Sequence, residues 1–112
     1  MILPNGQELP PQIEPVVITP DYYIGLERYD DAVTLIHSIV FGHWSSRLAR
    51  EMRAAADAIC AVRDGPLFAA THQPHGGDHA KWAKFVRLMG FTFFRTVRGT
   101  DGADYAVYVR WR

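Results

Sequence analysis

Two periods of apolar residues organise the last third of the chain. Trp82, Phe85, Val86 and Met89 recur at i, i+3, i+4 and i+7, one stripe of a helix, with Lys81, Lys84 and Arg87 off that stripe. Gly90 stands where a helix C-cap is expected, because glycine enters the left-handed region without a Cβ penalty. Phe91 to Arg98 and Ala103 to Arg112 then read as a hairpin across Gly99-Thr100-Asp101-Gly102. In its second strand Tyr105, Val107, Val109 and Trp111 alternate with Asp104, Ala106, Tyr108, Arg110 and Arg112, which predicts a period-2 strand with one face toward the core.

Upstream, Leu48, Met52, Ala55, Ile59 and Val62 mark a second helix running to about Arg63, with Ser45 or Ser46 as its N-cap and Asp64-Gly65-Pro66 as its stop. Leu67 to Thr71 is a short apolar strand between the helices. Thr34 to Phe41 carries apolar residues on both faces and reads as a central strand covered on both sides. Tyr22 to Tyr29 pairs with it across Asp30-Asp31. A rival reading makes Pro20 to Tyr29 a short helix with Thr19 as N-cap and Pro20 at N1.

Five of the seven prolines fall in residues 1–20, so this part is expected to be an extended arm rather than a helix, with Val16 to Thr19 its likeliest piece to pair. Such an arm can lie along a neighbouring protein, since it loses little entropy on docking. The expected division is a proline-rich arm over 1–20 and one domain over 21–112. The domain's order is hairpin, helix, strand, helix, hairpin, which implies an α/β (α+β) mixed sheet.

Composition adds exclusions. Lys plus Arg and Asp plus Glu number 12 each, so bulk charge gives no case for nucleic acid or an anionic membrane. The charge is uneven: residues 1–31 are acidic and residues 81–112 basic, which suits pairing within the domain or between copies. Cys60 is the single cysteine, so no internal disulfide is possible, and its helical position predicts a small buried hydrophobe. No apolar run reaches membrane-spanning length and no signal peptide is legible, so synthesis in a reducing cytoplasm is expected. His72, His75 and His79 would approach metal-ligand spacing on a helix, but Pro74 and Gly76-Gly77 argue against one there, and no metal is expected. The aromatics exceed what a small core needs. Of Tyr22-Tyr23, and of Phe93-Phe94, one member is expected at the surface unless both sheet faces are covered. Exposed rings beside Arg95, Arg98 and Arg110 suit a protein interface.

The element order over residues 33–112, with Gly90-Phe91 closing the second helix, resembles the back half of the GNAT acetyltransferase fold, truncated at its N-terminal half. His79-Ala80-Lys81-Trp82 ahead of that Gly-Phe also resembles small phage-encoded GNAT-like proteins associated with virion morphogenesis. The GNAT resemblance implies acetyl-CoA, its pyrophosphate held by backbone N–H groups and glycines ahead of the first long helix. The matching stretch is Gly42, His43, Trp44, Ser45, Ser46 and Arg47, in which His43 and Ser45 stand where the family pattern has glycines. The tyrosine that the family often uses to protonate the leaving thiolate falls at about Val86, beside Phe85, and neither side chain carries an acidic proton. Glu27 is the only carboxylate named as a general base. These departures predict a non-catalytic GNAT-fold structural protein with no cofactor, and the phage resemblance implies a virion or assembly component made in a bacterial host cytoplasm and docking to other virion proteins or to its own copies. The alternatives are a small acetyl-CoA-dependent N-acetyltransferase and a phage-encoded binder of a host protein.

Overall fold

A computed structural model describes residues 1–72 and 78–111. Its elements in chain order are β1 (Ile13–Ile18), β2 (Tyr22–Arg28), β3 (Thr34–Val40), α1 (Ser46–Ala61), β4 (Leu67–His72), α2 (Asp78–Leu88), β5 (Thr92–Arg98) and β6 (Asp104–Arg110). They form one mixed sheet in the order β1-β2-β3-β4-β6-β5. Hairpin, helix, strand, helix and hairpin therefore succeed one another as the periodicity requires, and the strand β1 precedes them.

The hairpin of β2 and β3 is closed by side-chain chemistry. Asp30 Oδ1 accepts from the amides of Ala32 and Val33, an Asx arrangement that turns the chain without glycine. At the β1–β2 corner Thr19 Oγ1 accepts from the amides of Asp21 and Tyr22, and the Thr19 amide donates to Tyr22 O. This is the capping chemistry of the rival helix reading, used instead to close a hairpin, and Tyr22–Arg28 is a strand.

Both helices lie on one face of the sheet. Leu48 and Met52 of α1, Val86 and Met89 of α2, Tyr22 and Ile24 of β2, and Ala106 and Tyr108 of β6 belong to one buried cluster. Leu48 and Met52 are almost wholly buried, and each such side chain is worth roughly 1.5–3 kcal/mol of hydrophobic stabilisation. The stripe of α1 differs from expectation at its end. Ala56 and Cys60 are buried, whereas Val62 is the C-cap residue and 83% exposed, because the helix ends at Ala61 before Val62 can turn inward. In β6 one face does meet the core, and it is the set with Ala106 and Tyr108 that packs on the helices, while Trp111 is 67% exposed. Alternation sets which residues share a face but not which face is covered.

The opposite face is covered only in part. Residues 1–9 fold back through an Ile2↔Glu8 bridge and a Leu3 amide to Gln7 O bond, and bury Leu3 and Leu9 against Tyr23, Ile13, Ile39 and Phe41. The proline-rich stretch is thus packed on its own sheet, with residues 13–18 forming an edge strand. Tyr22 and Tyr23 are both buried, one on each face, so neither is the surface aromatic that was expected. Towards the other edge nothing comparable among the described residues covers this face, where Phe94 is half exposed, and Phe93 on the helix face is half exposed as well. A register shift between Phe93 and Arg95 puts Phe93 against Tyr108 and Phe94 against Phe68. β3 is half-buried along its length rather than enclosed, since it has helices on one face and only the folded-back arm on part of the other.

The end of α2 is tightly specified. Gly90 has φ +91°, its amide donates to Arg87 O, and the Phe91 amide donates to Val86 O, the paired bonds of a Schellman cap.

Candidate active site

The sheet is continuous but parts at its centre. β2 and β3 pair at seven successive positions and β4 and β6 at six, whereas the parallel β3 and β4 pair only at Leu35↔Phe68. Beyond that rung the two strands diverge and leave a cleft of about 790 Å³. That volume is within the range of small-molecule sites, roughly 300–1,000 Å³. Ile36, Ser38 and Val40 line one side, Ala69 and Ala70 the other, and Met52, Trp82, Phe85 and Met89 come from the helices. Diverging strands leave backbone N–H and C=O groups unpaired between them, which suits an extended ligand that carries amides.

The loop from β3 to α1 forms one end of the cleft. Ser45 is the N-cap, extended at φ −148° and ψ 163°, and its Oγ accepts from the Leu48 amide at 3.1 Å. The Ala49 amide begins the intrahelical ladder on Ser45 O. The amides of Ser46 and Arg47 precede that ladder and point out of the helix end, where its dipole favours an anion. No acidic residue stands in the first turn. The Arg47 side chain is directed to Glu51 at 2.6 Å and Asp21 at 3.6 Å, and the Glu51 hydrogen bond is the main cause raising its pKa. Space around Gly42 is open, and His43 is exposed. Trp44 meets Phe85 of α2 edge-on, ring centroids 5.5 Å apart, so this bulky ring leans across to α2. Of the six loop residues singled out in the sequence, Trp44 alone lines the cleft, while Ser45, Ser46 and Arg47 form the helix start beside it. Replacing Ser45 by alanine is expected to lower stability by about 1 kcal/mol, as for other N-caps, measurable by urea titration.

Val86 is buried in the helix-side core, so the place where a proton donor is expected holds an alkyl group. A polar group of a different kind stands on the arm-side face. His37 Nε2 lies 2.9 Å from Glu27 Oε1, with both side chains part-buried. A carboxylate only accepts, so Nε2 carries the hydrogen, which in the neutral ring leaves the lone pair on Nδ1. Gly25 pairs directly with His37, and the Tyr23 ring lies over Gly25. The Tyr23 hydroxyl is buried without a hydrogen-bond partner among the described residues, and burial raises its pKa. Both Tyr23 and His37 line the cleft. Glu27 stood out in the sequence, but its partner did not. The signal available was the spacing Tyr23-x-Gly25-x-Glu27, which puts a ring, a gap and a carboxylate on one strand face. Among the loop histidines, His75 lies outside the described residues, as do the His72 and His79 side chains.

A six-stranded mixed sheet in this order, parted between its central parallel strands and carrying both helices on one face, has the GNAT acetyltransferase fold. No family model matches the chain, and no curated protein does. Among solved structures it is similar to AAC(6')-Ib in complex with Parmomycin and acetyl-CoA, with a TM-score of 0.66 at 14% identity over 90% of this chain. The chain spans 66% of that protein's length. A more distant likeness is to a protein of acetyltransferase designation from Sphaerobacter thermophilus DSM 20745, with a TM-score of 0.48 at 8% identity, covering 84% of this chain and 62% of that one.

Proposed function

We propose that this protein is an acetyl-CoA-dependent N-acetyltransferase that takes its acetyl donor into the cleft between β3 and β4. One observation carries this reading: the parallel strands part after a single rung, and the apolar cleft so formed ends at the first turn of α1. A pantetheine chain carries amides that can pair with the parted strand edges, and a pyrophosphate suits the free amides of Ser46 and Arg47. The donor set fits the ligand, although glycines are replaced by His43 and Ser45, because Trp44 is turned to Phe85 and Gly42 is unobstructed. AAC(6')-Ib binding acetyl-CoA on the same fold supports the reading. Calorimetry with acetyl-CoA tests it. Binding in the micromolar range, competed by coenzyme A, is expected; absence of heat at millimolar ligand would overturn it.

The reading as a virion or assembly protein is favoured by a different observation. Phe93, Phe94 and Trp111 are exposed along the β5–β6 edge, and the Arg95 guanidinium lies over the Phe94 ring at 5.1 Å. Co-purification of the chain with other structural proteins of a particle, together with no acetyl-CoA binding, would replace the first reading by this one.

A further inference from the structure

The Tyr23 hydroxyl poses the sharpest question in the molecule. Tyr23 is 1% exposed, and its hydroxyl meets no hydrogen-bond partner among the described residues. An unsatisfied buried hydroxyl costs free energy, so natural chains retain few of them, and each calls for an explanation. This one faces the space over Gly25. His37 lies directly across the ladder from Gly25, where opposed Cβ positions are about 5 Å apart. Beyond His37 stands Glu27, bonded to its far ring nitrogen. A phenol that needs a partner and an imidazole thus stand on the wall of a single cleft, and a carboxylate holds the imidazole from behind.

We infer that Tyr23, His37 and Glu27 form the acceptor site and that the acceptor is a small primary amine with an apolar body. This rests on the acetyltransferase reading above. Leu3 and Leu9 of the folded-back arm, with Ile13 and Ile39, wall the site beside Tyr23, so the body that enters meets hydrocarbon. The polar groups there include one carboxylate, Glu27, which suits one cationic nitrogen and leaves a polycation's further charges without counter-charge. Because the arm packs over this face, the acceptor is a small molecule rather than a folded protein's surface.

The chemistry balances with an acyl-CoA thioester as co-reactant. His37 Nδ1 takes a proton from the ammonium, and the freed lone pair attacks the thioester carbonyl. The N–C bond forms and the C–S bond breaks. The second nitrogen proton passes to the departing thiolate, and His37 returns its proton to water. Glu27 acts through His37 as a positioning residue, holding the ring with Nδ1 towards the amine. Tyr23 donates to or accepts from the bound amine and so gains its missing partner.

The test uses the full chain, acetyl-CoA and 2-phenylethylamine, with spermine as the polycation. Thioester cleavage is followed by free thiol, and amine binding is measured separately by calorimetry without acetyl-CoA. Phenylethylamine is expected to bind and to be acetylated more efficiently than spermine. His37→Gln should lower kcat by about 100-fold or more, the scale of a lost general base, with acetyl-CoA affinity unchanged. Tyr23→Phe should raise the amine KM by about 10-fold, one lost hydrogen bond, leave kcat nearly as it was, and leave the melting temperature equal or higher. Glu27→Gln should lower kcat without moving the KM for acetyl-CoA. Failure of acetyl-CoA to bind while the amine binds and loses affinity in Tyr23→Phe would sink the acetyltransferase reading and keep the amine site. Absence of phenylethylamine binding, preference for spermine, or acetylation indifferent to His37→Gln and Tyr23→Phe would overturn the site itself.

Discussion

Replacing Gly25 by alanine is expected to destabilise the protein by about 3 kcal/mol, at the upper end of overpacking penalties, with the loss read from the urea midpoint. The backbone of Gly25 is ordinary strand, so the need for glycine is steric. A Cβ there would overlap the Tyr23 hydroxyl and stand 2.7 Å from Tyr23 Cζ and 2.8 Å from Ile13 Cγ2. Neither neighbour gives way easily. The Tyr23 ring is locked among Leu3, Leu9 and Ile39, and Ile13 belongs to the paired edge strand. The alanine must therefore expel the ring or spread β1 from β2. A second variant isolates the cause. In a Tyr23→Leu background the added methyl no longer meets a ring, so Gly25→Ala should cost far less, a coupling measured by the double-mutant cycle. A cost below about 1 kcal/mol in the Tyr23 protein would mean that the ring does not lie over Gly25.

Replacing Arg110 by alanine should cost about 2–3 kcal/mol, the scale of buried hydrogen bonds made by a charged group. Arg110 ties β6 to α1 and to the residue that follows α2. Its side chain is 12% exposed, donates from Nη1 to Met89 O at 2.8 Å and from Nη2 to Asp57 Oδ1 at 2.5 Å. Removing it leaves a carbonyl at the end of α2 without that donor and uncovers the space beside Gly90, where a Cβ would come within 3.1 Å of the guanidinium. Asp57 contributes less, since it is half exposed and retains Arg53 at 2.9 Å. Lysine at 110 should recover only part of the loss, because an ammonium cannot span both acceptors in a fixed plane. The pH dependence follows from Asp57. Its hydrogen bond to Arg110 first, and that to Arg53 second, hold its carboxyl below the usual value of 3.8. That stabilisation is complete above the unfolded value and is lost as pH falls through the lower folded one. Acid titration of stability should accordingly be shallower below pH 3.8 in Arg110→Ala than in the parent protein.

Much of this fold is legible in the residues. The helix stripes, the Gly90 stop and the Asp30 turn are local signals, and each is met where its chemistry places it. What escaped depends on contacts distant in sequence. The facing of β6 is decided by which side the helices cover, which Tyr105 to Arg110 do not encode alone. The burial of Tyr23 depends on residues 1–9 folding back, and a proline-rich stretch reads as extended whether it packs at home or on a neighbour. The candidate site was half visible for the same reason. Glu27 and the α1 cap can be picked out along the chain, but the pairing of Gly25 with His37 is a matter of register across ten or more residues. The parting of β3 from β4 has no signature at all in either strand.

That parting also divides the molecule for folding. β1, β2 and β3 form one antiparallel meander, whereas in the other half only the β5–β6 hairpin is local and β4 reaches β6 across α2 and β5. The two halves meet in the sheet at one rung, and otherwise through the helices. The β1–β2–β3 meander and the β5–β6 hairpin can gather their pairings over short loops, while adding β4 to β6 requires α2 to dock, and joining the two halves requires α1 to dock and close the long connection from Val40 to Leu67. The same economy persists in the native state. A change in the width between β3 and β4 breaks almost no ladder hydrogen bonds, so the sheet can widen around a guest and narrow behind it while each half remains intact.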